Sequence, residues 1–276
     1  MKITMLVDNN TFIDRYYLGE PAASFYIEIE DKRILFDTGY SDILIQNARL
    51  MNIDLTLVTD IILSHGHNDH SRGLKFLNEK IDISAMRLIA HPDCFLPKYY
   101  FDGEYVGAPF LHMDEIMEYI PTKDVYPITQ ELLFLGEIPR VNDYENQEPL
   151  GTYIIDNKQE KDFILDDSAL VYKTKNGLFV ITGCSHSGIC NIVEYAKKVC
   201  KDERVLGILG GFHLFEDNEQ LRKTIEYLEN NHIQYLYPSH CVSLKARAKM
   251  IETLPVYETG VGMVFEINDG EISTKI

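Results

Sequence analysis

The sequence predicts an α/β fold in which sheets carry helices on their outer faces. Three observations lead there. Short apolar runs, several β-branched and bounded by Gly, Asp or Asn, alternate with segments of helical periodicity. The runs come in pairs near the N-terminus and alternate with helices later. The composition, 45% hydrophobic and 25% charged over 276 residues, is that of a globular chain long enough to bury a substantial core.

The elements follow in order. Residues 3–7, 25–29 and 34–36 read as the first strands, and 41–51 as the first helix. The run Ile61-Ile62-Leu63 is a short buried strand, followed by a helix over 74–78 and a strand over 88–90. Strands at 169–172 and 178–182 precede a helix at 189–200, where Ile192, Val193, Ala196 and Val199 share one face. A strand at 205–209 leads to a helix at 219–230, with Leu221, Ile225 and Leu228 at helical spacing. Strand 234–237, helix 243–252 and strand 263–267 complete the set. No solenoid repeat or low-complexity tract interrupts it.

Charge narrows the function classes. The chain has 43 acidic and 26 basic side chains, a formal charge of −17. Such a body repels phosphate backbones and anionic bilayers, so no nucleic acid and no membrane partner is expected. No apolar run is long enough to span a bilayer, and the N-terminus reads as a strand rather than a signal peptide, so the expected location is cytoplasmic. Five scattered Cys give no disulfide framework, which fits a reducing compartment. Residues 92–149 stand apart, with 12 acidic and 3 basic side chains and 10 of the 30 aromatics. Prolines at 92, 97, 109 and 121 break this stretch, which reads as an insertion packed on the main body. Ordinary connecting structure is its plainer reading, ahead of a substrate lid or a homo-oligomer surface.

The strongest chemical signal is Ser64-His65-Gly66-His67-Asn68-Asp69-His70, directly after an apolar strand. Imidazole and carboxylate suit Zn, Mn or Fe. His65 and His67 share a side by strand alternation, and a helix starting near Ser71 swings Asp69 and His70 around. Further His follow strands: His186 in Gly183-Cys184-Ser185-His186, His213 in Gly210-Gly211-Phe212-His213, and His240 in Pro238-Ser239-His240-Cys241. Several at equivalent places point to one site at one sheet edge. His91, His112 and His232 lack that context and read as structural or surface residues.

The His65–His70 cluster has the HxHxDH form and resembles the metallo-β-lactamase superfamily. Phe36-Asp37-Thr38-Gly39 is similar to its strand-end Asp motif, and His186 and His240 match its later His motifs. Segments around Ser64, Asp166-Asp167-Ser168, Cys184, Gly211 and Cys241 resemble more closely the branch of dihydropterin-ribofuranosylaminobenzene phosphate synthases. The resemblance implies a single domain over 1–276, an αββα sandwich with the acidic, aromatic-rich 92–149 insertion. It implies one or two divalent metal ions, zinc first and Mn or Fe as alternatives. His65, His67 and His186 would hold one, and Asp69, His70 and His240 the other. Gly211 stands where the superfamily often has a bridging Asp, which implies a weaker second site.

The expected activity is metal-dependent hydrolysis of an ester or phosphoester of a small anionic metabolite. Asp69 would orient or deprotonate water, and His213 would act as general acid or substrate contact. Asp37 would fix a ligand imidazole, and Asp167 would face the site with no role assigned. Cys184 and Cys241 read as packing beside the ligands rather than as ligands. The turn 183–188 opens a helix and offers N–H groups to an anion, or is a plain strand–helix turn. The alternatives are a transferase joining a dihydropterin diphosphate to a ribosylated aminobenzene, and a di-iron redox protein.

Overall fold

The computed structural model describes residues 1–276. Strands β1 (Lys2–Val7), β2 (Ser24–Ile29) and β3 (Lys32–Phe36) form an antiparallel meander. Helix α1 (Ile43–Leu50) crosses to β4 (Asp60–Ile62), and α2 (Asn68–Ser71) with α3 (Gly73–Lys80) crosses to β5 (Arg87–Ala90). The chain then makes β6 (Lys98–Tyr99) and α4 (Met113–Ile116) before β7 (Glu118–Pro121). From β3 through β4, β5 and β7 the pairing is parallel.

A second sheet begins with β8 (Tyr126–Pro127) and β9 (Leu132–Phe134). The hairpin β10 (Gly151–Ile155) and β11 (Lys158–Asp162) joins β6 in a small third sheet. Strands β12 (Ala169–Thr174) and β13 (Gly177–Thr182) return to the second sheet. There β14 (Val205–Gly210) and β15 (Tyr235–Pro238) pair in parallel after crossover helices α5 (Ile189–Cys200) and α6 (Glu219–Asn230). Helix α7 (Leu244–Ile251) then leads back to the first sheet through β16 (Val264–Asn268) and β17 (Glu271–Lys275).

Period-two alternation assigns each strand face to a layer. Ile3 and Met5 of β1 meet Phe179 and Ile181 of β13 in a core between the two large sheets, while Leu6 turns to the helices on the outer face. Leu178 and Val180 of β13 pack against Ile189, Ile192, Val193 and Ala196 of α5. The order is therefore helix, sheet, sheet, helix, the expected αββα sandwich. Truncating an inter-sheet aromatic such as Phe179 costs about 3–5 kcal/mol.

The acidic 92–149 segment is woven into the sheets. It supplies β7 to the first sheet, β8 and β9 to the second and β6 to the third. Its strands are two to four residues long, too short for periodicity to register. β11 was equally hidden, because Lys158-Gln159-Glu160-Lys161 is polar and exposed throughout.

Strands β1, β3, β4, β13, β14 and β15 all end at one edge of the sandwich. Asp8-Asn9, Asp37, residues 63–67, 183–186, 211–213 and 239–241 follow those ends. Chain between strand ends and crossovers is where an α/β sheet builds its sites.

Candidate metal centre

Two clusters of donor atoms form at that edge. His65, His67 and His186 make the first, and Asp69, His70, His240 and Cys184 the second, with the donor atoms of each within 4.8 Å of one another. The rings of His65, His67 and His186 stand 4.7–4.8 Å apart by centroid. His65 to His70 is 4.3 Å, which makes the two clusters neighbours.

The local structure explains the convergence. Residues 63–67 leave β4 as an irregular loop with bends at Ser64 and Gly66, which brings His65 and His67 to the same side. The helix begins at Asn68, earlier than the expected Ser71, so Asp69 and His70 sit on its first turn. Asp37, Ser185, His213 and His240 all have φ near +50 to +60°. Non-glycine residues adopt that left-handed region at a cost of order 1–3 kcal/mol, and such strain gathers at functional sites.

Three of the donor imidazoles, those of His65, His70 and His240, are held from behind. Asp37 accepts from His70 Nδ1 at 2.7 Å and also from Ser64 N and Oγ. Ser64 Oγ lies 2.9 Å from His65 Nδ1, and Asn9 Oδ1 lies 3.0 Å from His240 Nδ1. Asp8 accepts from the His240 backbone N–H. With Nδ1–H of His70 and His240 donated to these oxygens, their Nε2 atoms carry lone pairs, yet they face each other at 3.1 Å. The Asp69 carboxylate lies 3.6 Å from the first and 3.2 Å from the second. Acceptors crowded in this way repel unless a proton or a metal ion lies among them. His65 Nε2 and both ring nitrogens of His186 are buried without a hydrogen-bond partner. Buried polar atoms rarely stay unpaired, so these orphans fit a metal ion that the residues are arranged to receive.

Burial pushes the imidazoles of His65 and His186 well down and that of His67 to about 4, so all three are neutral donors at pH 7. Burial works the same way on His70, but Asp69 and Asp37 outweigh it and raise the imidazole. Burial also opposes ionisation of Asp69, and the surrounding imidazoles overcome it, holding that carboxyl below its usual range.

The remaining expected residues fall into distinct places. His213 stands outside both clusters, its ring 4.5 Å from that of His186, and burial lowers it to about 4. Asp167 does not reach a donor imidazole by hydrogen bond. Its Oδ2 accepts from Ser187 N and Oγ and so secures the turn that carries His186. Cys241 Sγ takes the His213 N–H at 3.3 Å, a packing position as expected. Cys184 is closer than a packing role requires, its Sγ 3.1 Å from His70 Nε2. A Cβ on Gly211 would collide with the Cys241 sulfur and the Gly183 carbonyl, so no side chain fits there to bridge the clusters.

The turn over 183–188 offers no free anion site. Ser187 N in the turn goes to Asp167 and Gly188 N to the Ser185 carbonyl, while Cys190 N and Asn191 N in the first turn of α5 go to Glu145. Glu145 occupies the space over Gly188, whose φ of +97° also suits glycine.

Sequence reasoning passed over several supports. Lys98, 2% exposed, binds Asp162 and Asp166, and Asp166 in turn accepts Gly66 N inside the histidine loop. Asp8-Asn9 follows an apolar strand in the same way as the His motifs, a signal that was readable. His91 is buried and paired with Glu137 and the Asp93 N–H, as a structural histidine should be.

A cavity of about 270 Å³, lined by His67, Asp69, Tyr40, Asn68, Tyr100 and Glu104 among others, opens the clusters to solvent. It shares Tyr40 and Asn68 with a second cavity of about 530 Å³ that reaches Arg72, Lys75, Tyr105 and Phe110. Together they make a groove, with the Arg72 guanidinium 4.3 Å from the centre of the Tyr40 ring. No helix is long and apolar enough to cross a membrane.

Comparisons with known proteins agree with this geometry. A family model for the metallo-beta-lactamase superfamily matches residues 18–196. An uncharacterised protein of Methanocaldococcus jannaschii is 37% identical over 90% of this chain and 93% of its own. The 7,8-dihydropterin-6-methyl-4-(beta-D-ribofuranosyl)-aminobenzene-5'-phosphate synthase of the same organism is 30% identical over 91% of both chains. The crystal structure of a metal-dependent hydrolase of the beta-lactamase superfamily superposes with a TM-score of 0.84 at 27% identity, over 98% of this chain and 100% of that one. The chain belongs to the metallo-β-lactamase superfamily of metal-dependent enzymes.

Proposed function

We propose that this enzyme hydrolyses an ester or phosphoester of a small anionic metabolite at a centre built for two divalent ions. The observation that carries the reading is the packing of lone-pair donors. His65, His67 and His186 would hold one ion, and Asp69, His70 and His240 the other. Zinc suits this nitrogen- and oxygen-rich set, with Mn or Fe as alternatives. A bound dication supplies hydroxide at neutral pH by lowering the pKa of its water from about 15.7 toward about 7.

The protein side of the reaction follows from placement. Asp69 keeps 29% of its side chain open to the cavity, so its carboxylate can accept a hydrogen bond from a water there and orient it. Asp37 and Asn9 hold His70 and His240 in the tautomer that presents Nε2. His213, beside His186 and partly exposed, is placed to donate a hydrogen bond to the substrate or its leaving group. Tyr40, Tyr100, Tyr105 and Phe110 offer apolar faces along the groove, and Arg72 and Lys75 offer positive charge at its far end. The local cations reconcile an anionic substrate with a chain of −17.

The test is a panel of chromogenic carboxylic and phosphate esters assayed on metal-loaded protein. Turnover lost on chelation and restored by zinc supports hydrolysis. Metal-loaded protein inert to the whole panel contradicts it.

A second reading, transfer rather than hydrolysis, is favoured by the 30% identical synthase. There the donor would be a dihydropterin diphosphate and the acceptor a ribosylated aminobenzene. Diphosphate release that requires the acceptor would establish transfer and sink simple hydrolysis.

A further inference from the structure

We infer that the Cys184 thiolate is the fourth protein ligand of the second metal site, rather than a packing residue beside it. The inference rests on the reading of the clusters as a metal centre. Metal–nitrogen bonds of about 2.0–2.1 Å and metal–sulfur bonds of about 2.3 Å place the donors of a tetrahedral site roughly 3.3–3.7 Å apart. In the second cluster His70 Nε2 lies 3.1 Å from Cys184 Sγ, 3.1 Å from His240 Nε2 and 3.6 Å from Asp69 Oδ2. His240 Nε2 lies 3.2 Å from Asp69 Oδ2. The sulfur thus takes the same kind of place around His70 as two residues already read as ligands.

The two cysteines at this edge differ in what else they touch. Cys241 Sγ accepts the His213 N–H at 3.3 Å and faces the Cys184 carbonyl at 3.4 Å, so the backbone occupies it. Cys184 Sγ contacts the neighbouring Cys241 thiol and also reaches His70 Nε2, the nitrogen that faces the metal position, which Cys241 does not. Cys184 is also buried, which shields a metal–sulfur bond from solvent.

The chemical consequence is a charge-asymmetric centre. Three neutral imidazoles make the first site, while a carboxylate, a thiolate and two imidazoles make the second. On binding, the thiol proton leaves to solvent as the sulfur–metal bond forms. The soft sulfur selects zinc, cobalt or iron over manganese and magnesium. It also supplies negative charge at an edge where Gly211 has no room for a side chain.

Cobalt(II) loading of the full-length protein tests this by absorption spectroscopy. The expected spectrum has visible d–d bands and a near-ultraviolet sulfur-to-cobalt charge-transfer band. Cys184→Ser should lose the charge-transfer band and keep d–d absorption from the first site, while Cys241→Ser should keep both. Circular dichroism of each variant verifies folding, and Cys184→Ala serves if the serine variant misfolds. Visible bands without charge transfer in the parent protein overturn the thiolate ligand and leave the metal centre standing. Charge transfer that survives in Cys184→Ser and vanishes in Cys241→Ser also overturns the assignment. No d–d absorption in any protein overturns both readings.

Discussion

The two donor clusters sit side by side, but the chain supports them in different ways. The first consists of neutral histidines whose metal-facing nitrogens include buried orphans. Its stiffness comes through the backbone, since Lys98 holds Asp166 and Asp166 holds Gly66 N. The second contains the Asp69 carboxylate, and its imidazoles are fixed individually by Asp37 and Asn9. One site thus rests on a buried ion network under a loop together with a Ser64 bond to His65, the other on Asp37 and Asn9 bonded directly to both of its imidazoles. Substitutions that separate the two modes of support test the contrast.

The largest effect should come from His67→Ala. It removes a donor from the first cluster, so bound metal should fall by one ion per chain and activity should vanish. Metal analysis beside an assay reads both, and full activity would contradict the site.

Lys98→Ala comes next and acts on stability. It leaves Asp162 and Asp166 buried and unpaired, at a cost of about 3–5 kcal/mol in a denaturant titration. The pH dependence has a definite sign. Burial opposes ionisation of Asp166, yet Lys98 outweighs it and brings the carboxyl from 3.8 down to about 2. Its stabilising contribution is therefore present above 3.8 and lost as pH falls toward about 2. The Lys98→Ala protein should lack that acid-side loss.

Asp37→Asn should weaken metal binding by about 10–100-fold at the second site, with the first site less affected. Competition with a chromophoric chelator would resolve the two affinities, and equal weakening at both would erase the distinction. Arg72→Ala lies outside both clusters. It should raise KM for an anionic substrate roughly tenfold with kcat little changed, if the groove binds the anion as proposed. His112→Ala should change neither metal content nor rate, since His112 belongs to neither cluster.

Much of this was legible in the sequence because metal chemistry confines ligands to few residue types. His65, His67, Asp69 and His70 fall within six residues after a strand, and His186 and His240 follow other strands. Sheets covered by helices were legible because runs such as β1 and β13 are apolar on both faces, while the αββα order came with the resemblance carried by the His65–His70 motif. What stayed hidden depends on contacts distant in sequence. Lys98 meets Asp162 and Asp166 across more than 60 positions, and Asn9 meets His240 across 231. The approach of Cys184 to His70 was hidden because a Cys beside a His motif does not reveal where its sulfur points. The strands within 92–149 stayed hidden because acidity and prolines mark surface chain, yet two- to four-residue strands there still complete both sheets.

The central claim is that the edge of the sandwich binds two metal ions through two separate donor sets. Native mass spectrometry of the zinc-loaded full-length protein, parent and His67→Ala together, tests it most directly. The expected result is two ions on the parent and one on the variant. A parent chain with one ion or none, or a variant that still carries two, would contradict it.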